Sequence, residues 1–196
     1  MNKTPKQKTP PSRSFHVMTK PIGPRCNLDC TYCFYLEKEK LFPKEENYKM
    51  SDEVLKTYIR KHIQSQNTPE IQFAWQGGEP TLMGLEFFRR AVALQRQYAA
   101  GRPVHNSFQT NGTSLDDEWC QFFAREKFLV GLSIDGPEHI HNRYRVDTGA
   151  KGSHSRVMDG LRLLKKWGVE FNTLTCVTRQ SPAEGGEIYN FLKQQG

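Results

Sequence analysis

Short apolar runs alternate with amphipathic stretches along most of this chain of 196 residues. The apolar runs predict five strands, at residues 15–18, 71–75, 104–109, 128–134 and 169–177. The amphipathic stretches predict five helices, at residues 51–66, 85–98, 114–127, 157–167 and 183–195. Because alternating strands and helices favour a parallel sheet with crossover helices, the sequence predicts an α/β fold. A spacing of about 30 residues per unit suits a barrel, a partial barrel or an open sheet.

Two local features refine these predicted elements. Ser51 is predicted to cap the first long helix, and Ser114 with Asp117 is predicted to form a capping pair for the third. Residues 128–134 are strongly apolar, which is typical of a strand buried on both faces. We therefore expect the fourth strand to be covered on both sides.

Three of the five cysteines fall within eight residues, in the segment Cys26-Asn-Leu-Asp-Cys30-Thr-Tyr-Cys33. Thiolates bind soft metals and iron–sulfur clusters, and three on one loop can hold three corners of a cubane. The fourth iron is then open to a small molecule. A closed zinc site needs a fourth ligand, and the nearest histidine, His16, lies on the predicted first strand. Zinc and three unrelated buried thiols are the alternatives. The other two cysteines, expected to pack as small apolar side chains, are Cys120 and Cys176.

Polar groups follow the predicted strands at the ends where barrel-type α/β proteins bind ligands. After the second strand comes Gln76-Gly77-Gly78-Glu79, whose glycines let the backbone approach a ligand and whose carboxylate can accept hydrogen bonds from an ammonium group. These groups are ligands to a pocket or simply turn residues, and the residue types alone leave both interpretations open. The groups at or after the ends of the next strands are Gln109, Asn111, Ser133, Asp135 and the carboxylate-matching Arg143 and Arg145.

The cysteine motif in a loop after the first strand, followed by Phe34-Tyr35 and a Gly-Gly-Glu-Pro segment, resembles the signature of radical SAM enzymes. The resemblance implies a partial (β/α) barrel of about five βα units, incomplete at the C-terminus. It implies a 4Fe–4S cluster on Cys26, Cys30 and Cys33, whose open iron binds S-adenosylmethionine (SAM). Reductive cleavage of SAM would give a 5′-deoxyadenosyl radical that takes a hydrogen atom from substrate. The implied SAM contacts are Tyr35, Gln76, Gly77, Gly78, Glu79, Gln109, Asn111, Ser133 and Arg145.

Longer segments resemble one branch of that superfamily, the anaerobic sulfatase-maturating enzymes. They include Cys33-Phe-Tyr-Leu-Glu-Lys, Trp75-Gln-Gly-Gly-Glu-Pro-Thr-Leu and Ser133-Ile-Asp-Gly-Pro. That family oxidises a Cys or Ser of a sulfatase to Cα-formylglycine. The implied partners are a sulfatase polypeptide as substrate and an electron donor such as a flavodoxin or ferredoxin. The alternatives are another peptide-modifying radical SAM maturase and a non-catalytic regulatory or metal-binding protein. No catalytic residue beyond the cluster cysteines is assigned.

Charge and length suggest how the chain is organised. Residues 1–14 carry four basic side chains and no acidic one, which predicts a flexible basic tail before a radical SAM core over 15–196. Members of the resembled family are considerably longer, so we expect a truncated core without the C-terminal domain that holds auxiliary clusters. The formal charge is +7, but no nucleic-acid-binding motif accompanies it, so we expect no nucleic-acid partner. The absence of a long apolar run or signal peptide predicts a cytoplasmic protein with no membrane partner.

Overall fold

The computed structural model describes residues 15–41 and 48–195, so the predicted basic tail lies outside the described residues. Five parallel strands form one sheet in which spatial order follows chain order. The strands are β1 Met18–Thr19, β2 Ile71–Trp75, β3 Val104–Thr110, β4 Leu129–Ser133 and β5 Phe171–Leu174. Parallel strands in chain order, joined by helical crossovers, form the arrangement of a (β/α) barrel. The predicted α/β fold with a partial barrel is therefore confirmed.

Seven helices are found in the described residues, with 3-10 turns at Glu39–Leu41 and Pro80–Met83. The helices are α1 Tyr35–Lys38, α2 Asp52–Ser65, α3 Leu85–Tyr98, α4 Asp117–Arg125, α5 Glu138–Tyr144, α6 His154–Lys166 and α7 Ser181–Gln194. The pattern does not predict α1 and α5, because four and seven residues are too few to show a helical period. None of the described helices has the length and apolar character needed to cross a bilayer.

The two predicted helix caps have different outcomes. Ser51 caps α2 as predicted, since its side chain accepts from the backbone N–H of Val54 at 3.3 Å. The prediction for α4 is wrong, because Asp116 is the cap and accepts from the N–H of Trp119 at 2.9 Å. Ser114 instead accepts a hydrogen bond from the side chain of Asn27. A residue that serves a distant loop cannot be told from a cap by sequence pattern alone.

The first and last strands are shorter than the apolar pattern predicts. In β1, only Met18 and Thr19 pair with β2. β5 ends at Leu174, although the predicted strand extends to residue 177. Beyond that point the chain makes side-chain contacts instead of ladder bonds: the Thr175 hydroxyl donates to the Ile134 carbonyl at 2.7 Å. The pattern therefore locates β5 and overestimates its length, whereas the first strand, predicted at 15–18, overlaps β1 only at Met18.

One face of the sheet carries the hydrophobic core. Strand residues on this face are buried, such as Trp75 in β2 and Phe108 in β3. Phe108 lies within an aromatic cluster, with its ring centroid 4.9 Å from those of both Phe88 and Phe123. Tilted and edge-on rings at such distances attract each other beyond the effect of area burial. This cluster joins β3 to α3 and α4.

The opposite face of the sheet is less covered. In β4, Val130 and Leu132 are buried, whereas Leu129, Gly131 and Ser133 are only partly buried. The prediction of a fourth strand buried on both faces is therefore wrong. A groove runs along this second face and is lined by residues of neighbouring strands, including Ala74, Ser107, Gln109 and Asn172. The polar strand residues of this groove are Ser107, Gln109 and Asn172.

Replacement of Phe108 by alanine should reduce the free energy of unfolding by about 3–5 kcal/mol, because it empties the centre of the aromatic cluster. Urea unfolding followed by circular dichroism measures this loss. His105→Ala, on the same strand but exposed, is the matched control and should change stability by less than about 0.5 kcal/mol. Equal losses for the two variants would show that the cluster does not carry the core.

Candidate functional site

A cleft of about 330 Å³ opens at the carboxyl ends of the strands. The loop with the three cysteines forms one wall, and residues following β2 to β5 form the others. Parallel α/β sheets bind ligands at this edge, so the cleft is the candidate site. Most residues singled out from the sequence line it, namely Cys26, Cys30, Cys33, Tyr35, Gln76, Gly77, Gly78, Gln109, Asn111, Ser133 and Arg145.

The cysteine loop has little regular structure of its own and is fixed by other segments. The backbone N–H of Asp29 donates to the carbonyl of Val146 at 2.7 Å, and that of Thr31 donates to the carbonyl of Tyr144 at 2.9 Å. Within the loop, the N–H of Cys33 donates to the carbonyl of Cys30 at 2.8 Å, forming a turn. These bonds present the cysteines to the cleft on a backbone held from outside.

The three loop cysteines are free, with Cys30 buried and Cys26 and Cys33 partly buried. Burial raises the pKa of Cys26 to about 11 and that of Cys30 to about 12, so a metal must displace their protons at neutral pH. Among the described residues, no three His, Cys, Asp or Glu side chains converge on one ion. Three thiols on one loop can bind three iron atoms of a cubane and leave the fourth iron open, whereas a structural zinc site needs four protein ligands. The donor set therefore fits a 4Fe–4S cluster better than zinc.

Gly77 and Gly78 dock directly on the cysteine loop. The N–H of Gly78 donates to the carbonyl of Gly23 at 2.9 Å, and the N–H of Glu79 donates to that of Arg25 at 2.8 Å. A Cβ on Gly78 would lie 1.8 Å from the Arg25 carbonyl oxygen, and Gly77 has a φ of +123°. Both glycines line the cleft, as expected for close approach of a ligand. The structure adds a second reason for them: no side chain fits between this turn and the loop.

The carboxylate of Glu79 faces the protein and is 1% exposed. It accepts hydrogen bonds from the N–H and hydroxyl of Thr81 at 3.0 and 2.8 Å, the hydroxyl of Thr110 at 2.8 Å and the N–H of Asn111 at 2.7 Å. Burial raises the pKa of Glu79, and these bonds oppose that shift. Glu79 is not among the residues that line the cleft. Its carboxylate joins the ends of β2 and β3, which differs from the expected role as an acceptor for an ammonium group.

Two amides, one near the end of β3 and one directly after it, lie on the cleft wall. The side-chain Nε2 of Gln109 donates to the hydroxyl of Ser133 at 2.9 Å, which links β3 to β4. Asn111 extends towards the cysteine loop, and its Nδ2 lies 2.8 Å from Oδ1 of Asn27 and 3.6 Å from Sγ of Cys26. One amide therefore organises the sheet side of the cleft, and the other contacts the sulfur side.

A buried ion pair lies beside the cysteine loop. Asp135 accepts from Nε and Nη2 of Arg145 at 2.8 and 3.2 Å, from the hydroxyl of Tyr32, and from the N–H of Cys176 at 2.9 Å. The sequence leaves Asp135 open between a ligand contact and a turn cap, and the structure makes it the partner of Arg145. Sequence reasoning missed Tyr32, although its position between two loop cysteines is a signal for it.

His141 supports this ion pair from behind the cleft. Its Nδ1 accepts from the N–H of Asp135 at 3.3 Å, and its Nε2 lies 3.0 Å from the hydroxyl of Ser153. That hydroxyl donates to the carbonyl of Arg145 at 2.8 Å. Burial lowers the pKa of His141 to about 3, and the charge of Arg145 acts in the same direction. The ring is therefore neutral and links both members of the ion pair through hydrogen bonds.

Three other residues were singled out from the sequence, and only Cys120 has the environment that the sequence predicts. Cys120 is buried in α4 as predicted, whereas Cys176 is exposed, so the prediction that it packs as an apolar side chain is wrong. The cause is the early end of β5, which leaves residue 176 on the cleft wall. Arg143 forms an ion pair with Glu184 of α7 at 2.9 Å instead of facing the cleft.

Comparisons with known proteins agree with this geometry. The chain matches the radical SAM superfamily over residues 21–192. It is 45% identical over 185 residues to a serine-type anaerobic sulfatase-maturating enzyme of Bacteroides thetaiotaomicron, covering 94% of this chain and 45% of that protein. It is 41% identical over 180 residues to a cysteine-type enzyme of Clostridium perfringens, covering 91% of this chain and 48% of that protein. The chain therefore spans about half the length of these curated relatives.

Solved structures show the same similarity. A structure of native anSMEcpe with bound AdoMet and Cp18Cys peptide aligns with a TM-score of 0.82 at 41% identity, covering 90% of this chain and 46% of that chain. A structure of native anSMEcpe with bound AdoMet also gives a TM-score of 0.82. These matches confirm the resemblance to radical SAM enzymes and, among them, to anaerobic sulfatase-maturating enzymes.

Gly78→Ala should separate the β2 turn from the cysteine loop, because the added methyl group meets backbone rather than a flexible side chain. We expect the free energy of unfolding to fall by about 1–3 kcal/mol and limited proteolysis within residues 20–34 to become faster. Gly185→Ala is the matched control: this glycine lies in α7 with open space around it, and the change should be neutral or stabilising. Unchanged proteolysis of Gly78→Ala would contradict the docking role.

His141→Asn should weaken the pH dependence of stability between pH 7 and pH 5. In this range the unfolded chain protonates residue 141 near pH 6.5, whereas the folded chain keeps it neutral down to about pH 3. Wild-type stability therefore falls as the pH drops, by roughly 1.4 kcal/mol per pH unit below 6.5 from this residue. Urea unfolding at several pH values measures the slope, with His139→Asn, an exposed position, as control. Parallel slopes for wild type and His141→Asn would contradict the assignment.

Proposed function

Because this chain belongs to the radical SAM superfamily, we propose that it holds a 4Fe–4S cluster on Cys26, Cys30 and Cys33 and cleaves SAM there. The observation that carries the proposal is the presence of three free thiols on one wall of a cleft whose other walls are polar strand ends. When bound, the cluster supplies the electron that breaks a carbon–sulfur bond of SAM. The loop contacts with residues 144–147 and with the Gly77–Gly78 turn hold the ligands in place.

The remaining cleft residues suit the separate parts of SAM. Arg145, oriented by Asp135, matches the carboxylate of the methionine moiety. Ser133 and Gln109 provide a hydroxyl and an amide for the ribose or the amino-acid moiety. The carboxylate of Glu79 already accepts hydrogen bonds from Thr81, Thr110 and Asn111, so we assign the ammonium group of SAM to backbone carbonyls of the turn after β2. The turn residues concerned are Gln76, Gly77 and Gly78.

Tyr35 and the open face of the sheet complete the proposed site. Tyr35 lies on the cleft wall next to Cys33, and Nζ of Lys20 is 4.8 Å from the centroid of its ring. The aromatic ring shields the sulfur side of the cleft from water. The groove on the less covered face of the sheet runs to the same edge and is the direction from which we propose that a polypeptide substrate enters.

The substrate we propose is a sulfatase polypeptide whose Cys or Ser is oxidised to Cα-formylglycine. Support comes from the similarity to both serine-type and cysteine-type anaerobic sulfatase-maturating enzymes, at 45% and 41% identity. A flavodoxin- or ferredoxin-type protein is the proposed electron donor, and dithionite replaces it in assays. Because the chain spans about half the length of these relatives, peptide oxidation is tested separately from SAM cleavage.

Reconstitution under anaerobic conditions with iron and sulfide should give a protein that forms 5′-deoxyadenosine from SAM when reduced. Cys30→Ala should abolish this product, because it removes one cluster ligand. Cys120→Ala is the control: it removes a buried thiol in α4, away from the cluster, and should still form 5′-deoxyadenosine. Chromatography measures 5′-deoxyadenosine, and mass spectrometry of added Cys- and Ser-containing sulfatase peptides measures formylglycine.

The outcomes separate the two levels of the proposal. Failure of the wild-type chain to bind iron would overturn the cluster, and binding of zinc without iron would favour a non-catalytic regulatory or metal-binding protein. If SAM is cleaved but neither peptide is modified, the proposed SAM cleavage stands and the proposed oxidation of a sulfatase peptide by this chain is refuted. Formylglycine in one peptide only would assign the chain to the Cys or the Ser type.

A further inference from the structure

The sulfur of Cys26 differs from the other two loop sulfurs in its hydrogen-bond donors. The backbone N–H of Leu28 lies 3.4 Å from this sulfur, and Nδ2 of Asn111 lies 3.6 Å from it. Within the described part of the chain, no hydrogen-bond donor is found at the sulfur of Cys30 or Cys33. Hydrogen bonds to cluster sulfurs are among the main determinants of a cluster's reduction potential. The two donors at the sulfur of Cys26 are therefore expected to influence the reduction potential of the proposed cluster.

The side-chain amide of Asn111 has a defined orientation. Its Oδ1 accepts from the N–H and the hydroxyl of Thr113 at 3.0 and 2.8 Å. Its Nδ2 donates one hydrogen to Oδ1 of Asn27 at 2.8 Å and directs the other towards Cys26. Rotating the amide by 180° would place oxygen against oxygen at Asn27 and nitrogen against the N–H donor of Thr113. The donor must therefore face the sulfur.

Contacts on both sides hold this amide in position. The buried carboxylate of Glu79 accepts the backbone N–H of Asn111 at 2.7 Å. Asn27 is itself oriented, since its Nδ2 donates to the hydroxyls of Thr113 and Ser114 at 3.0 and 3.2 Å. The buried Asn111 thus has partners for every polar group of its side chain. Such a saturated arrangement costs little reorganisation when the charge on the sulfur changes.

We propose that Asn111 is a positioning residue that raises the reduction potential of the cluster through the sulfur of Cys26. This inference rests on the proposed function. Reduction adds negative charge to the iron and sulfur atoms, and an N–H donor stabilises the more negative state more strongly. With its nitrogen occupied by Cys26 and Asn27, Asn111 acts on the cluster rather than as a direct contact to SAM. Its role is to make the electron transfer that precedes SAM cleavage easier.

Two substitutions at position 111 test the proposal by a readout other than activity. Asn111→Leu removes the donor with little change in volume. Asn111→Asp retains the acceptor for Thr113 but replaces the donor with a negative charge. Both reconstituted variants are titrated with dithionite without SAM, and the reduced cluster is followed by electron paramagnetic resonance. We expect the ratio of reduced to oxidised cluster at a fixed ambient potential to fall about tenfold in Asn111→Leu, which is about 59 mV for one electron, and further in Asn111→Asp.

Asn190→Leu is the matched control, because it makes the same substitution at an exposed residue of α7, and its cluster should titrate as in wild type. Wild-type potentials in both Asn111 variants would overturn the inference and leave the proposed function intact. Loss of the cluster from both variants, with wild type and control loaded, would also overturn it, since Asn111 would then maintain the loop rather than the potential. Failure of the wild type to form a cluster would instead refute the proposed function.

Discussion

The site depends on one contact, the docking of the backbone turn after β2 on the backbone of the cysteine loop. The N–H groups of Gly78 and Glu79 donate to carbonyls of residues 23 and 25, and the space between the two segments excludes even a methyl group. A loop without regular structure has no internal ladder of hydrogen bonds to hold it. Its position relative to the sheet is therefore set from outside, by this turn on one side and by residues 144–147 on the other.

Two buried carboxylates extend that arrangement across the carboxyl edge of the sheet. Glu79 joins the ends of β2 and β3, and Asp135 joins the residues after β4 and β5 to the cysteine loop through Tyr32. Burial of a carboxylate is costly unless hydrogen bonds compensate it. Each of these carboxylates accepts several hydrogen bonds, so their main effect is to fix the relative positions of strand ends. The hydrogen bonds of these two carboxylates, together with the packing of the apolar core, therefore set the shape of the cleft.

The two sides of the cleft differ in chemistry. The loop provides sulfur atoms with amide donors next to Cys26, and the sheet side provides a hydroxyl, an amide and the guanidinium of Arg145. A soft, electron-accepting group suits the first side, and a small molecule that combines ammonium, carboxylate and ribose groups suits the second. The similarity to anaerobic sulfatase-maturating enzymes of both the serine and the cysteine type agrees with this division.

Local sequence patterns were enough to predict the α/β class, the approximate positions of most strands and long helices, and most of the residues that line the cleft. Periodicity reports burial along an element, and the spacing of Cys26, Cys30 and Cys33 in a loop is a local property. The orientations of the other polar groups follow from the packing of the folded chain. Glu79 faces the protein, Asp135 pairs with Arg145, and Asn111 reaches the sulfur of Cys26. Each of these contacts joins residues from separate strands or loops, so no local pattern encodes it; it arises only when the sheet brings the strand ends together.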